Sequence, residues 1–178
     1  YNAEDAVLEP TFDSETFILP AQMAVDGFNN VWLSTKLIRE GGSSLTVLGA
    51  DDEIYHVIQG QNGMDSRSVK SIAIDENNRV WTGSQPQSGG GIQTAGGIHF
   101  LDFHGNLGAS SEYSISALVG SPLASNDILQ LEIDTQNTLW ILTPAGVQSM
   151  VLPRTWLTSD ELENWASLYM TRNDADLY

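Results

Sequence analysis

Ser71-Ile-Ala-Ile-Asp-Glu-Asn-Asn-Arg-Val-Trp-Thr-Gly-Ser84 carries the pattern from which the fold can be read. An alternating run ends in Asp75, a polar stretch holds Asn77 and Asn78, and an apolar residue then precedes Trp81. Alternation puts Ala73 and Asp75 on one side of a strand and Ile72 and Ile74 on the other. Asp and Asn side chains bond nearby backbone amides and tolerate left-handed geometry, so they suit a tight turn between two strands. Trp81 then falls on the returning strand, where its broad apolar ring can fill the space between adjacent sheets.

The same pattern occurs twice more, at Met23–Thr35 and at Leu131–Thr143. The Asp-to-Trp spacing is constant: Asp26 to Trp32, Asp75 to Trp81, Asp134 to Trp140. Three ordered copies mark a repeat architecture, in which each unit buries its apolar face against the next. The tryptophans stand 49 and 59 residues apart. The second interval exceeds the usual ~40–50 residues of propeller repeats, and the Gly-rich stretch Gln85–Gly97 accounts for part of the excess.

Further strand signal follows each hairpin. Ser44–Leu48, the turn Gly49–Asp52 and Glu53–Ile58 extend the first unit. Gly97–Asp102, a turn around Phe103–Asn106 and a polar strand near Glu112–Ser116 extend the second. Val147–Leu152 extends the third, which lacks a fourth strand in this reading. Four strands per unit is the size of a propeller blade. The expectation is an all-β chain: a partial β-propeller of about three four-stranded blades with a short C-terminal helix. The blades span about 23–66, 71–122 and 127–152. Residues 1–22 are the end of a preceding blade or an N-terminal extension, and 153–178 a helix and acidic tail. Thr158 and Glu161 form a capping box, and Leu162, Trp165, Ala166 and Tyr169 follow at helical spacing, predicting a helix from Ser159 to Met170.

Seven Lys and Arg face twenty-three Asp and Glu, a formal net charge of −16. Such a surface repels phosphate backbones and anionic lipid, which argues against nucleic acid and against membrane surfaces as partners. No apolar run approaches the ~20 residues that span a bilayer. Absence of cysteine excludes disulfides, zinc-thiolate sites and thiol catalysis. Without an initial Met or a basic leader, the chain is expected to be a mature or excised piece of something longer.

The turn pairs Asp26/Asn29, Asp75/Asn78 and Asp134/Asn137 offer oxygen ligands of the kind calcium takes. They lack the dense carboxylate alternation of a dedicated loop, and the turn itself demands the same residues. His56, His99 and His104 are the only imidazoles, and zinc would need further ligands. They read as partly exposed strand or turn residues. Ser88–Gly97 lacks the Lys-Ser/Thr ending of a phosphate loop and reads as a flexible connection. Asp51-Asp52 and Asp160-Glu161 read as solvated pairs in a turn and at a helix start. Ala24, Ala73 and Glu132 are placed near a central channel, a chemically poor set. The sequence therefore predicts no catalytic, cofactor-binding or metal-binding residues; calcium is the one alternative kept.

At these residues the chain resembles the two-component-regulator propeller repeat of Bacteroidota. Leu123–Asp134, Leu139–Thr143 and Gly146–Gln148 carry the likeness, with Gly96–Asp102 matching the strand that follows. The long insertion before Leu123 is similar to PorZ-like propellers of type IX secretion. Leu142 and Ser34 depart from the Gly usual in that repeat. The resemblance implies a seven-bladed ring and a non-catalytic binding or assembly module outside the cytoplasm. It implies either ligand sensing at the envelope or secretion and attachment of surface proteins. Partners would be other protein chains or the remaining blades, or a glycan. The alternatives are a propeller lyase or hydrolase acting on polysaccharide, and a structural subunit of a larger envelope complex.

Overall fold

The computed structural model describes residues 20–35, 43–58, 69–89, 92–103, 107 and 114–173. Within them lie three four-stranded antiparallel sheets, a two-stranded ribbon and one helix. The first sheet runs β1 (Pro20–Val25), β2 (Val31–Thr35), β3 (Ser43–Leu48), β4 (Ile54–Ile58). The second comprises β5 (Val69–Ile74), β6 (Val80–Ser84), β9 (Gly97–Asp102) and β10 (Ser114–Leu118), in that spatial order. The ribbon β7 (Gln87–Gly89) and β8 (Ile92–Thr94) interrupts it. The glycine-rich connection thus pairs with itself instead of forming the irregular loop expected. In the third sheet β11 (Gln130–Ile133), β12 (Thr138–Thr143) and β13 (Gly146–Val151) are followed by β14 (Met170–Asn173).

β14 departs from the sequence expectation. The third unit was expected to stop at three strands, with a helix and frayed tail beyond it. Instead the chain leaves β13 and forms α1 (Ser159–Tyr169). It then returns, so that Met170 pairs with Met150 and Asn173 with Val147. Sequence patterning misses this strand because Met-Thr-Arg-Asn is short and does not alternate.

The capping box is present: Glu161 N–H donates to Thr158 Oγ1, and Thr158 N–H donates to Glu161 Oε2 at 2.9 Å. Leu162 and Ala166 point inward and are buried. The helix packs on β10 of the second sheet, where the Ser159 hydroxyl accepts from Ala117 N–H at 3.0 Å.

Two apolar layers hold the sheets together. Trp32, Leu45 and Val47 of the first sheet meet Val69, Ile72, Val80, Leu101 and Phe103 of the second. On the other side of the second sheet, Ala73, Trp81, Ile98, Phe100 and Leu118 meet Leu131, Leu139, Ile141 and Met150 of the third, with Leu162 and Ala166. The middle sheet is therefore covered on both faces, which explains why β6 is buried at every position. Each fully buried large apolar side chain contributes about 1.5–3 kcal/mol. The first strands β1, β5 and β11 lie side by side, as the innermost strands of neighbouring blades do.

Candidate functional site

Each repeat is built around one carboxylate. Asp26 Oδ1 accepts from Phe28 N–H at 2.8 Å and Asn30 N–H at 3.0 Å. Its Oδ2 accepts from Asn30 Nδ2 at 2.8 Å and the Trp32 indole at 2.9 Å. Asp75 repeats this with Asn77 and Arg79 amides at 2.9 and 3.0 Å, Arg79 Nε at 2.6 Å and the Trp81 indole at 3.0 Å. Asp134 does the same with Gln136, Thr138 and the Trp140 indole, all at 2.9 Å. The constant spacing now has a cause: one aspartate closes the turn with one oxygen and fixes the indole with the other.

The turns need a left-handed residue at their fourth position. Asn29, Asn78 and Asn137 fill it with φ of 65°, 61° and 59°. Asn reaches this region more easily than other non-glycine residues because its short amide bonds locally. Each of these aspartates accepts from N–H groups, so both of its oxygens are engaged in closing the turn and fixing the indole. Among the described residues no three His, Asp or Glu side chains gather as a metal-binding group would.

Hydrogen bonds also join successive repeats at equivalent positions. Gln22, Ser71 and Gln130 share one register position; Met23, Ile72 and Leu131 share the next. Gln22 Oε1 accepts from Ile72 N–H at 2.8 Å, and Ser71 Oγ accepts from Leu131 N–H at 2.8 Å. At the turns, Asn78 Oδ1 accepts from Gly27 N–H at 2.7 Å, and Asn137 Nδ2 reaches Glu76 at 3.5 Å. None of these bonds was foreseen, because each joins residues about 50 to 60 positions apart.

The three tryptophans differ in what covers them. Trp32 and Trp81 are fully buried, each under the next sheet, as expected. Trp140 is 36% exposed, with Leu142, Val151 and Leu129 also uncovered. Its indole anchor is intact, so the third sheet presents a built face with no sheet against it among the described residues. The donors to Asp134, first the Trp140 indole and then Thr138 N–H, hold its carboxyl below the usual carboxylate range.

Ala24, Ala73 and Glu132 lie on the strands β1, β5 and β11 that stand side by side. Each sits directly across from its tryptophan: Ala24 from Trp32, Ala73 from Trp81, Glu132 from Trp140. Ala73 is buried in the layer between sheets, and Glu132 is exposed because the third face is open. Ala24 and Ala73 pack into the layers between neighbouring sheets.

His99 is 1% exposed on β9 opposite Thr82, and so is buried where a partly exposed residue was expected. His56 lies on β4 with its side chain outside the described residues, as does all of His104. The Asp51-Asp52 pair is exposed in its turn. The Tyr55 hydroxyl, donating at 2.6 Å, and Glu53 N–H hold Asp51 low, while the same bond raises the Tyr55 phenol. Glu161 is held low by the backbone N–H and hydroxyl of Thr158.

A second cluster was not visible in the sequence. Arg79 ion-pairs with Asp75 at 2.6 Å while both are buried, and donates to the carbonyls of Pro153 and Thr155 (3.2 Å to the latter). Its guanidinium lies 5.0 Å from the Phe100 ring centroid. Phe100 stacks on Trp81 at 4.4 Å and meets Trp156 at 4.5 Å. This cluster fastens the C-terminal segment to the second sheet.

No protein-family model matches the chain, and no curated protein matches it. Solved structures do. PorZ, a bacterial surface component of the type IX secretion system of Porphyromonas gingivalis, aligns over 79% of this chain with a TM-score of 0.60 and 16% identity. The extracellular domain of a hybrid two component system from B. thetaiotaomicron aligns over 79% with a TM-score of 0.51 and 14% identity. Virginiamycin B lyase from Staphylococcus aureus aligns over 80% at 0.47 and 13%. The chain spans 20% of the PorZ chain and 16% of the B. thetaiotaomicron domain. The first two likenesses establish the fold: an all-β partial propeller of four-stranded blades. No helix among the described residues is long and apolar enough to cross a membrane.

Proposed function

We propose that this chain is a non-catalytic binding or assembly module of the bacterial cell envelope, working outside the cytoplasm with other protein chains as partners. The observation that carries it is the third face, which no sheet covers among the described residues. Trp140 and Leu142 stand exposed there at positions whose counterparts are buried against a neighbouring sheet. An apolar face of this kind marks a protein interaction site. The likeness to PorZ and to an extracellular sensor domain supports an envelope setting. A share in type IX secretion or surface attachment is favoured over ligand sensing. The reading requires no metal or cofactor and no nucleic acid, since the charge of −16 opposes phosphate backbones.

A photo-crosslinking residue placed at 142, beside Trp140, tests this in the native cells. The expected result is crosslinks to discrete envelope proteins. Crosslinks to polysaccharide alone, with cleavage of that polysaccharide by the purified chain, would favour the propeller-enzyme alternative and overturn this one.

A further inference from the structure

Among the described residues, β10 pairs with β9 along one edge and meets a helix, not a strand, along the other. We infer that α1 is a guard on that second edge: it keeps the backbone groups of β10 from accepting a further strand.

The strand needs such a guard because nothing in its own sequence protects it. β10 reads Ser-Ile-Ser-Ala-Leu, with no charge and no proline. Edge strands avoid unwanted pairing by carrying such residues, by bulging, or by lying under a helix or loop. The register of β10 with β9 runs unbroken from Ser114 to Leu118, so no bulge twists the edge away. Cover is the remaining protection.

In an antiparallel pair the backbone groups of alternate residues point to the partner strand, and those between point away. Ala117 is one of the latter. It stands opposite His99, yet its N–H donates at 3.0 Å to the Ser159 hydroxyl in the first turn of α1. A donor that an incoming strand would use is thereby taken. Leu162 and Ala166, further along the helix, are buried in the same apolar layer as Leu118. Asp160, Glu161 and Glu163 are exposed on the helix and add negative charge beside the covered edge.

A helix of 11 residues is marginal in isolation. Its place is set from both ends. Arg79 holds the segment before it through the carbonyls of Pro153 and Thr155, and β14 pairs with β13 after it.

Hydrogen exchange and sedimentation velocity of the whole chain test the inference. Ser159→Ala removes the acceptor alone. The Ala117 amide should then exchange about fivefold faster, the equivalent of one hydrogen bond. Leu162→Glu puts a charge into the apolar layer and should lift the helix, read as lost protection across 159–169. That variant should associate more strongly than the unaltered chain at the same concentration. Adding Ala117→Pro removes the outward N–H and no bond to β9, and should abolish the added association. Circular dichroism confirms that the strands persist. A lifted helix without added association overturns the inference. So does association that Ala117→Pro leaves intact, which would come from the uncovered apolar layer and not from strand pairing. Where Leu162→Glu does not fold, Ser159→Ala decides, and unchanged exchange at Ala117 overturns the inference.

Discussion

Asp75 and Arg79 form a 2.6 Å ion pair that solvent does not reach, at a turn whose counterparts in the other two repeats hold Asn30 and Thr138. The pair has a task that the other turns lack. The far side of the guanidinium binds the carbonyls of Pro153 and Thr155, where the chain crosses back from the third sheet to the second.

Removing Arg79 leaves Asp75 buried without its cation. Arg79→Ala is expected to cost about 3–5 kcal/mol in chemical denaturation. Arg79→Asn should cost less, because Asn30 Nδ2 fills the same position toward Asp26 at 2.8 Å. In both variants hydrogen exchange should rise across 153–169. Unchanged exchange there would show that the segment is held by other contacts.

The tryptophans should separate by burial. Trp81→Ala, at a fully buried site stacked on Phe100, is expected to cost about 3–5 kcal/mol. Trp140→Ala should cost less than Trp81→Ala, because its ring is 36% exposed and gives up less buried surface. Equal losses at the two sites would contradict the burial described.

Gly83 on β6 lies against Ile128, which precedes β11. A Cβ there would lie 2.4 Å from Ile128 Cγ2. Gly83→Ala is expected to destabilise by about 1–3 kcal/mol through overpacking, read as a lowered Tm. The loss should be smaller in an Ile128→Ala background, where that methyl is gone.

Asp134 gives a pH signature. Its carboxyl is held low in the folded chain by the Trp140 indole and the Thr138 amide. A depressed folded value contributes stability that is present above the unfolded carboxylate range and is lost as pH falls through the folded value. The Trp140 indole N–H resonance should therefore hold steady through the usual aspartate range and shift only below it. In Asp134→Asn the shift should vanish. A midpoint at the ordinary aspartate value would mean that the indole bond does not form in solution.

Much of this could be read without coordinates. The Asp-turn-Trp repeats predicted hairpins, strand faces and propeller blades, and the structure places all three in equivalent sheets. The helix and its cap at Thr158 were legible for the same reason: both are local, set by residues within one turn of each other. β14 escaped because a four-residue strand takes its pairing from β13, not from its own pattern. The cluster of Arg79, Phe100 and Trp156 escaped because it joins residues more than 70 positions apart in the case of the Arg79–Pro153 contact. The sequence placed Ala24, Ala73 and Glu132 by their strand alone, but only neighbouring sheets decide what their side chains meet.

By itself the sequence determined what short-range physics controls: the turn geometry, the strand alternation, the recurring anchor between Asp and Trp, and an acidic, cysteine-free surface. The tertiary structure decided which copies of that anchor are covered. Trp32, Trp81 and Trp140 are equivalent along the chain, yet among the described residues only the first two have a sheet packed on them. Burial depends on what lies across the gap, and that neighbour is fixed by the stacking of whole sheets rather than by any residue's local surroundings.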